Sequence, residues 1–171
     1  MDPTYERYKD LDLDGSLICL ERPGSEEISP YFCYPLDARP IGYEGCILYC
    51  FLVPYGDMVF ACDPETCADR FVYPLARSFE DFLRLILACG SANPVEQIAW
   101  MSREQFLHHL QEEETIRTDE QKALLHDLAK TFGIAPIDDP YAYVTALQAT
   151  FDDSKIEYRA EYFEVTGLER P

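Results

Sequence analysis

The stretch from Cys46 to Gly90 constrains the fold more than any other part of the chain. CILYCFLV (46–53) is apolar at every position, the composition of a central strand covered on both faces. PYGD turns tightly into MVFAC (58–62), so these two runs pair as a β-hairpin. DPETCADR is a polar loop, and FVYPLA (71–76) is a third short strand that Pro74 confines to an edge or an end. Ser78 caps the helix that follows, with Asp81 placed to complete a capping box. Phe79, Phe82, Leu83, Ile86 and Leu87 then line one face before Gly90 stops the helix.

Ahead of this unit the chain reads as strands broken by turns, SLICLE and ISPYFCYPL forming a first hairpin across RPGSEE. Beyond it the pattern is mostly helical. A short helix runs from Pro94 to Trp100, Ser102 with Gln105 opens a second, and Thr118 with Gln121 opens a third that carries Leu124, Leu125, Leu128 and Phe132 to a stop at Gly133. Asp139 and Pro140 start YAYVTALQATF. KIEYRAEYFEV alternates, with Ile156, Tyr158, Ala160 and Tyr162 on one face, and predicts a late strand. The expected fold class is therefore α+β: a mostly antiparallel, twisted sheet of hairpins packed against helices, with a helical C-terminal half. With 171 residues, no internal repeat and no long linker, residues 1–171 read as one domain with a helical extension over 94–153.

Charge narrows the partners. Against 14 Lys and Arg stand 32 Asp and Glu, a formal charge of -18 that repels nucleic acid and anionic lipid. The same field speeds encounter with a basic protein, and it also serves solubility. MDPTYERYKDLDLD has no hydrophobic leader character, and no apolar run approaches the roughly 18 residues that span a bilayer. The seven cysteines are odd in number, and Cys19, Cys46, Cys50, Cys62 and Cys89 sit in apolar runs, as free thiols do in a reducing cytoplasm.

Asp10, Asp12, Asp14 and Gly15 followed by Glu21 match the calcium-loop pattern of alternating carboxylates closed by a bidentate Glu. Pro23 and Gly24 leave no exiting helix, so these side chains read as an acidic lead-in to the first strand. Cys46, Cys50, Cys62 and Cys67 have zinc-like spacing but lie mostly within strands, where a buried thiol is the better reading. His108 and His109 point about 100° apart on one helix, and His126 sits on the next without a further ligand. No metal or other cofactor is expected. Glu112, Glu113 and Glu114 form a solvated run at a helix C-terminus.

The run VFACDPETCADRFVYPLARSFEDFLRLIL (59–87) resembles the closing part of a SUKH domain. Leu75, Ala76, Ser78, Phe79, Phe82 and Leu83 match its small-aliphatic pair followed by S-F-x-x-F-L, and the likeness centres on 46–90. The superfamily's N-terminal L-P-x-x-Y/F-x-x-F/L helix is not legible, nor is its glycine-rich turn. SUKH proteins include fungal regulators of glucan synthesis and bacterial immunity proteins that neutralise toxins, often nucleases. The resemblance thus implies a non-enzymatic, cytoplasmic inhibitor of a basic toxin. Strand-end residues are the expected contacts: Tyr55 and Asp57 at one turn, and Asp63, Glu65 and Asp69 in the favoured loop. A regulatory or scaffolding domain that binds an endogenous protein remains open, as does an enzyme built from scattered carboxylates.

Overall fold

The structure, a computed structural model, describes residues 1–24 and 29–171. Its elements run α1 (Pro3–Lys9), a 3-10 helix (Gly15–Ile18), β1 (Ala38–Glu44), β2 (Ile47–Leu52), a second 3-10 helix (Val53–Tyr55), β3 (Val59–Cys62) and β4 (Val72–Ala76). Then come α2 (Phe79–Cys89), α3 (Ala92–Gln97), α4 (Arg103–Ile116), α5 (Asp119–Phe132), α6 (Pro140–Ala149) and α7 (Ala160–Thr166). The fold is α+β. Among the described residues four strands pair antiparallel in the order β1-β2-β3-β4.

The unbroken apolarity of β2 has the expected cause. Tyr49 and Phe51 enter one hydrophobic cluster beneath the helices, whereas Leu48, Cys50 and Leu52 enter a second on the opposite face. The first cluster is continuous from Tyr5 to Val144 and takes in Phe79, Phe82, Leu83, Leu85 and Ile86 of α2. Segments 31–36 and 151–162 cover the second face, with Phe32, Phe151, Ile156, Tyr158 and Tyr162 packed on it. Both long edges of the sheet are partly covered. Glu21 exchanges two backbone hydrogen bonds with Tyr43 of β1 (2.9 and 2.8 Å), and α6 lies along β4, where the Gln148 amide donates to the Pro74 carbonyl (3.1 Å).

The hairpin β2–β3, the edge strand carrying Pro74, and the helices opened by Ser78, Ser102, Thr118 and Asp139 all appear as the sequence indicates. Ser78 Oγ accepts from the Asp81 amide (3.1 Å), but Asp81 does not close a capping box. Its carboxylate turns to Arg84 and to the Tyr143 hydroxyl (3.3 and 2.7 Å).

Two expectations fail. The first hairpin is absent among the described residues, and residues 25–28 of its turn lie outside them. SLI instead enters a 3-10 helix that Asp14 caps, and Cys19 leaves it in the left-handed region (φ 53°). A Cβ at Gly15 would lie 2.1 Å from the Leu20 carbonyl oxygen, so the tight return depends on glycine. The late strand is also absent. Residues 155–159 carry no strand and α7 follows; Ile156 and Tyr158 from the coil and Tyr162 from α7 all pack on the second sheet face, which is the burial that the alternating pattern recorded. The rings of Tyr158 and Tyr162 stack at 3.7 Å over that face.

Two elements were not anticipated. β1 reads poorly because ARPIGYE holds Pro40 and Gly42, which flank a break in its register with β2. α1 opens on Asp2 and Pro3, a cap and first-turn pair, and buries Tyr5 and Tyr8 against Phe79.

Candidate functional site

At the end of the sheet where β1 turns into β2 and β3 runs out, a cavity of about 420 Å³ is lined by Glu44, Cys46, Asp63, Glu65, Cys67, Asn93, Glu96, Gln97 and Trp100. Each acidic group is placed by the fold. Glu44 is the last residue of β1, before a turn that needs Gly45 in the left-handed region (φ 56°). Asp63 follows β3, its amide extending the ladder to the Phe71 carbonyl (2.9 Å). Glu96 sits on α3, where burial of Ala92, Val95 and Ile98 in the core leaves it buried beside the sheet end, only 2% exposed.

The hydrogen bonds within the cluster are polar and uncharged on the donor side. The Tyr73 hydroxyl donates to Glu96 Oε1. Glu44 accepts from Asn93 Nδ2 (2.9 Å) and from the Tyr49 hydroxyl (3.2 Å). Asp63, 7% exposed, accepts from the Glu65 amide (2.9 Å). Among the described residues no Lys, Arg or His lines the cavity. Burial therefore pushes Glu96 up to about 7; Tyr73 opposes this, and the negative charge of Asp63 and Glu44 adds to it. Burial raises Glu44 as well. The Cys46 thiol is pushed up by burial and by Glu65 and Asp63, which makes it a poor nucleophile. Trp100 stands at the rim, 39% exposed. Chemically, the arrangement can receive a cationic group or keep a carboxyl protonated near neutral pH.

The expected strand-end residues divide between two ends of β3. Asp63 and Glu65 belong to the cavity, but Asp63 is buried rather than free. Asp69 is exposed and lines a neighbouring hollow with Arg70 and Tyr73. Tyr55 and the exposed Asp57 lie at the other end. Tyr55 is no free anchor: its hydroxyl donates to the Asp152 carbonyl (2.9 Å) and accepts from the Lys155 amide (3.1 Å), and its ring packs on Phe60 and Phe151.

The calcium-pattern carboxylates have structural roles or face solvent. Asp10 closes α1, Asp14 accepts from the Ser16 amide and hydroxyl (3.0 and 2.6 Å), and Asp12 and Glu21 are exposed, with no helix in the described residues 22–24 that follow. No group of three or more His, Cys, Asp or Glu among the described residues is placed to hold a metal ion. Cys50 and Cys62 are buried with their sulfurs 3.7 Å apart, and all seven cysteines are free thiols. His108 meets Glu112 on the exposed face of α4 (3.3 Å), and His126 is exposed on α5. Glu44, Tyr73, Glu96 and Trp100 escaped the sequence reading. The one available signal was Glu96 itself, a charged residue within the apolar spacing of Val95 and Ile98.

Comparison with protein-family models, with characterised proteins and with solved structures finds no match to this chain. No helix among the described residues is long and apolar enough to cross a membrane.

Proposed function

We propose that the chain is a non-enzymatic acidic binding protein that engages the cationic surface of another protein, in the manner of a SUKH-type immunity protein occluding a basic toxin. The carrying observation is the cavity at the sheet end, where four carboxylates converge without a cation and a half-exposed Trp100 stands at the rim. A partner's Lys or Arg can enter such a site, and tryptophan supplies the contact area typical of interface hot spots. The formal charge of -18 steers encounter in the same sense. The family-like unit supports the reading: Leu75, Phe79, Phe82 and Leu83 are all buried in the core that positions the site. Seven free thiols suit a reducing cytoplasm.

The test is association with a toxin-like basic protein co-expressed from the source cell. Glu65→Lys together with Trp100→Ala touches exposed positions only, so folding should be unchanged while association slows tenfold or more at low salt. Unchanged kinetics would move the contact to the Glu112–Glu114 end of α4. The same surface would serve a regulatory domain that binds an endogenous protein, and the identity of the captured partner separates the two. A second reading has its own support. Glu96, raised toward neutrality beside Asp63 and Tyr73, has the character of a general acid. An activity that Glu96→Gln abolishes, with partner association intact, would favour an enzyme.

A further inference from the structure

Glu96 is almost wholly enclosed, and the groups that face it come from every element around the cavity. Tyr73 of β4 donates to it, and the Thr66 hydroxyl lies 3.4 Å from that phenol. Asp63 at the end of β3 and Glu44 at the end of β1 add negative charge, and Tyr49 of β2 is held by Glu44. Glu65, Cys46 and Cys67 line the mouth, and Asn93 and Gln97 come from α3 itself, with Asn93 committed to Glu44. None of these groups is a cation. Glu96 shares its cavity with a second buried carboxyl, that of Asp63, and it cannot ionise cheaply there, because neither full hydration nor an opposite charge offsets its negative charge.

We propose that Glu96 is a proton-operated latch: while its own carboxyl keeps a proton, α3 stays closed against Tyr73 of β4 and over the end of β3, and loss of that proton loosens α3 and opens the cavity beside Trp100. The tie is local. α3 is six residues long and is followed within three residues by Trp100, so a small outward motion reaches the rim directly. The raised Glu96 carboxyl places the change near neutral pH. Its sign follows from linkage. The folded chain holds a proton that the unfolded chain, with Glu96 near 4.5, has released, so the stabilisation is complete below about 4.5 and lost as pH rises to about 7. The latch stands on the burial of Glu96 and not on the identity of any partner.

Trp100 is the single tryptophan of the chain and reports directly. Its fluorescence, and hydrogen exchange of the 92–99 amides corrected for intrinsic rates, are followed in the full chain from about pH 5 to about pH 8. Protection of α3 should fall and the emission should shift, with a midpoint near 7. Glu96→Gln keeps an acceptor for Tyr73 and offers Asp63 a donor, so it should hold the low-pH signal across the range. It should also melt several degrees above the wild type at pH 8. Asp63→Asn should move the midpoint down, and Tyr73→Phe should move it up. A flat wild-type profile, or a transition that persists unmoved in Glu96→Gln, overturns the latch. Should Glu96→Gln not fold, carbon NMR of the wild-type glutamate carboxyls decides: no glutamate titrating above about pH 6 overturns it equally. Loss of partner binding with the pH transition intact would instead count against the binding reading alone.

Discussion

One carboxylate, that of Asp2, ties two helices together. It is 4% exposed; one oxygen accepts from the Thr4 and Tyr5 amides at the start of α1 (2.8 and 3.3 Å) and the other from the Phe79 amide at the start of α2 (2.8 Å). Asp2→Ala strands buried amides at both helix starts and should cost about 2–3 kcal/mol in urea unfolding, more than an ordinary cap. Asp2→Asn, which keeps one acceptor, should cost about half as much. Phe82, fully enclosed against Tyr49 and Phe79, is a more ordinary core position. Phe82→Ala should cost about 3–5 kcal/mol through lost burial and the cavity left behind. The residue scale also shows what the sequence could not convey. The apolar stripe of α2 was legible because each side chain declares its own preference. Asp63 was not, because its burial depends on α3 closing over it from thirty residues away in the chain. For the same reason charge reversal at Asp63 would test folding as well as binding, whereas Glu65 tests binding alone.

Among the elements, the segment that crosses the second face of the sheet is held differently from the strands. Its anchors are the two hydrogen bonds of the Tyr55 hydroxyl and one from the Leu36 amide to the Glu157 carbonyl (2.9 Å), with Phe151, Ile156, Tyr158 and Tyr162 laid over Phe60 and its neighbours. Tyr55→Phe keeps the ring and removes both hydroxyl bonds. It should cost about 1 kcal/mol and speed hydrogen exchange at Lys155 without touching α2. This segment is where the sequence reading erred by period. Ile156, Tyr158 and Tyr162 satisfy an alternating pattern, yet no strand ladder receives them, and their side chains settle on the sheet as a cover. β1 erred in the other direction. Only Ile41 of its side chains enters the helix-side core, so a half-polar strand with Pro40 and Gly42 carried too weak a pattern to be seen.

For the whole molecule, the formal charge of -18 acts on folding and on encounter with opposite consequences. Self-repulsion weakens the compact state, so raising salt from about 20 to about 300 mM should raise the melting temperature as screening shortens to within a few ångströms of contact. The same salt should slow association with a cationic partner. One molecule measured both ways therefore separates the two roles of its charge.

The partly covered edges of the sheet bear on how these molecules behave in a crowd. Along β1 the backbone of Glu21 takes the free positions of Tyr43, and the rest of that edge presents Arg39 and Pro40, the latter without an amide hydrogen to offer; along β4 the edge lies under α6. Near pH 4.3 the repulsion between copies disappears, and ordinary precipitation should follow. Fibril growth, however, needs an open strand to template the next, and this sheet offers none that is both bare and regular. The solid formed at the isoelectric point should accordingly be amorphous. It should leave thioflavin fluorescence at baseline and redissolve when the pH is returned to neutrality.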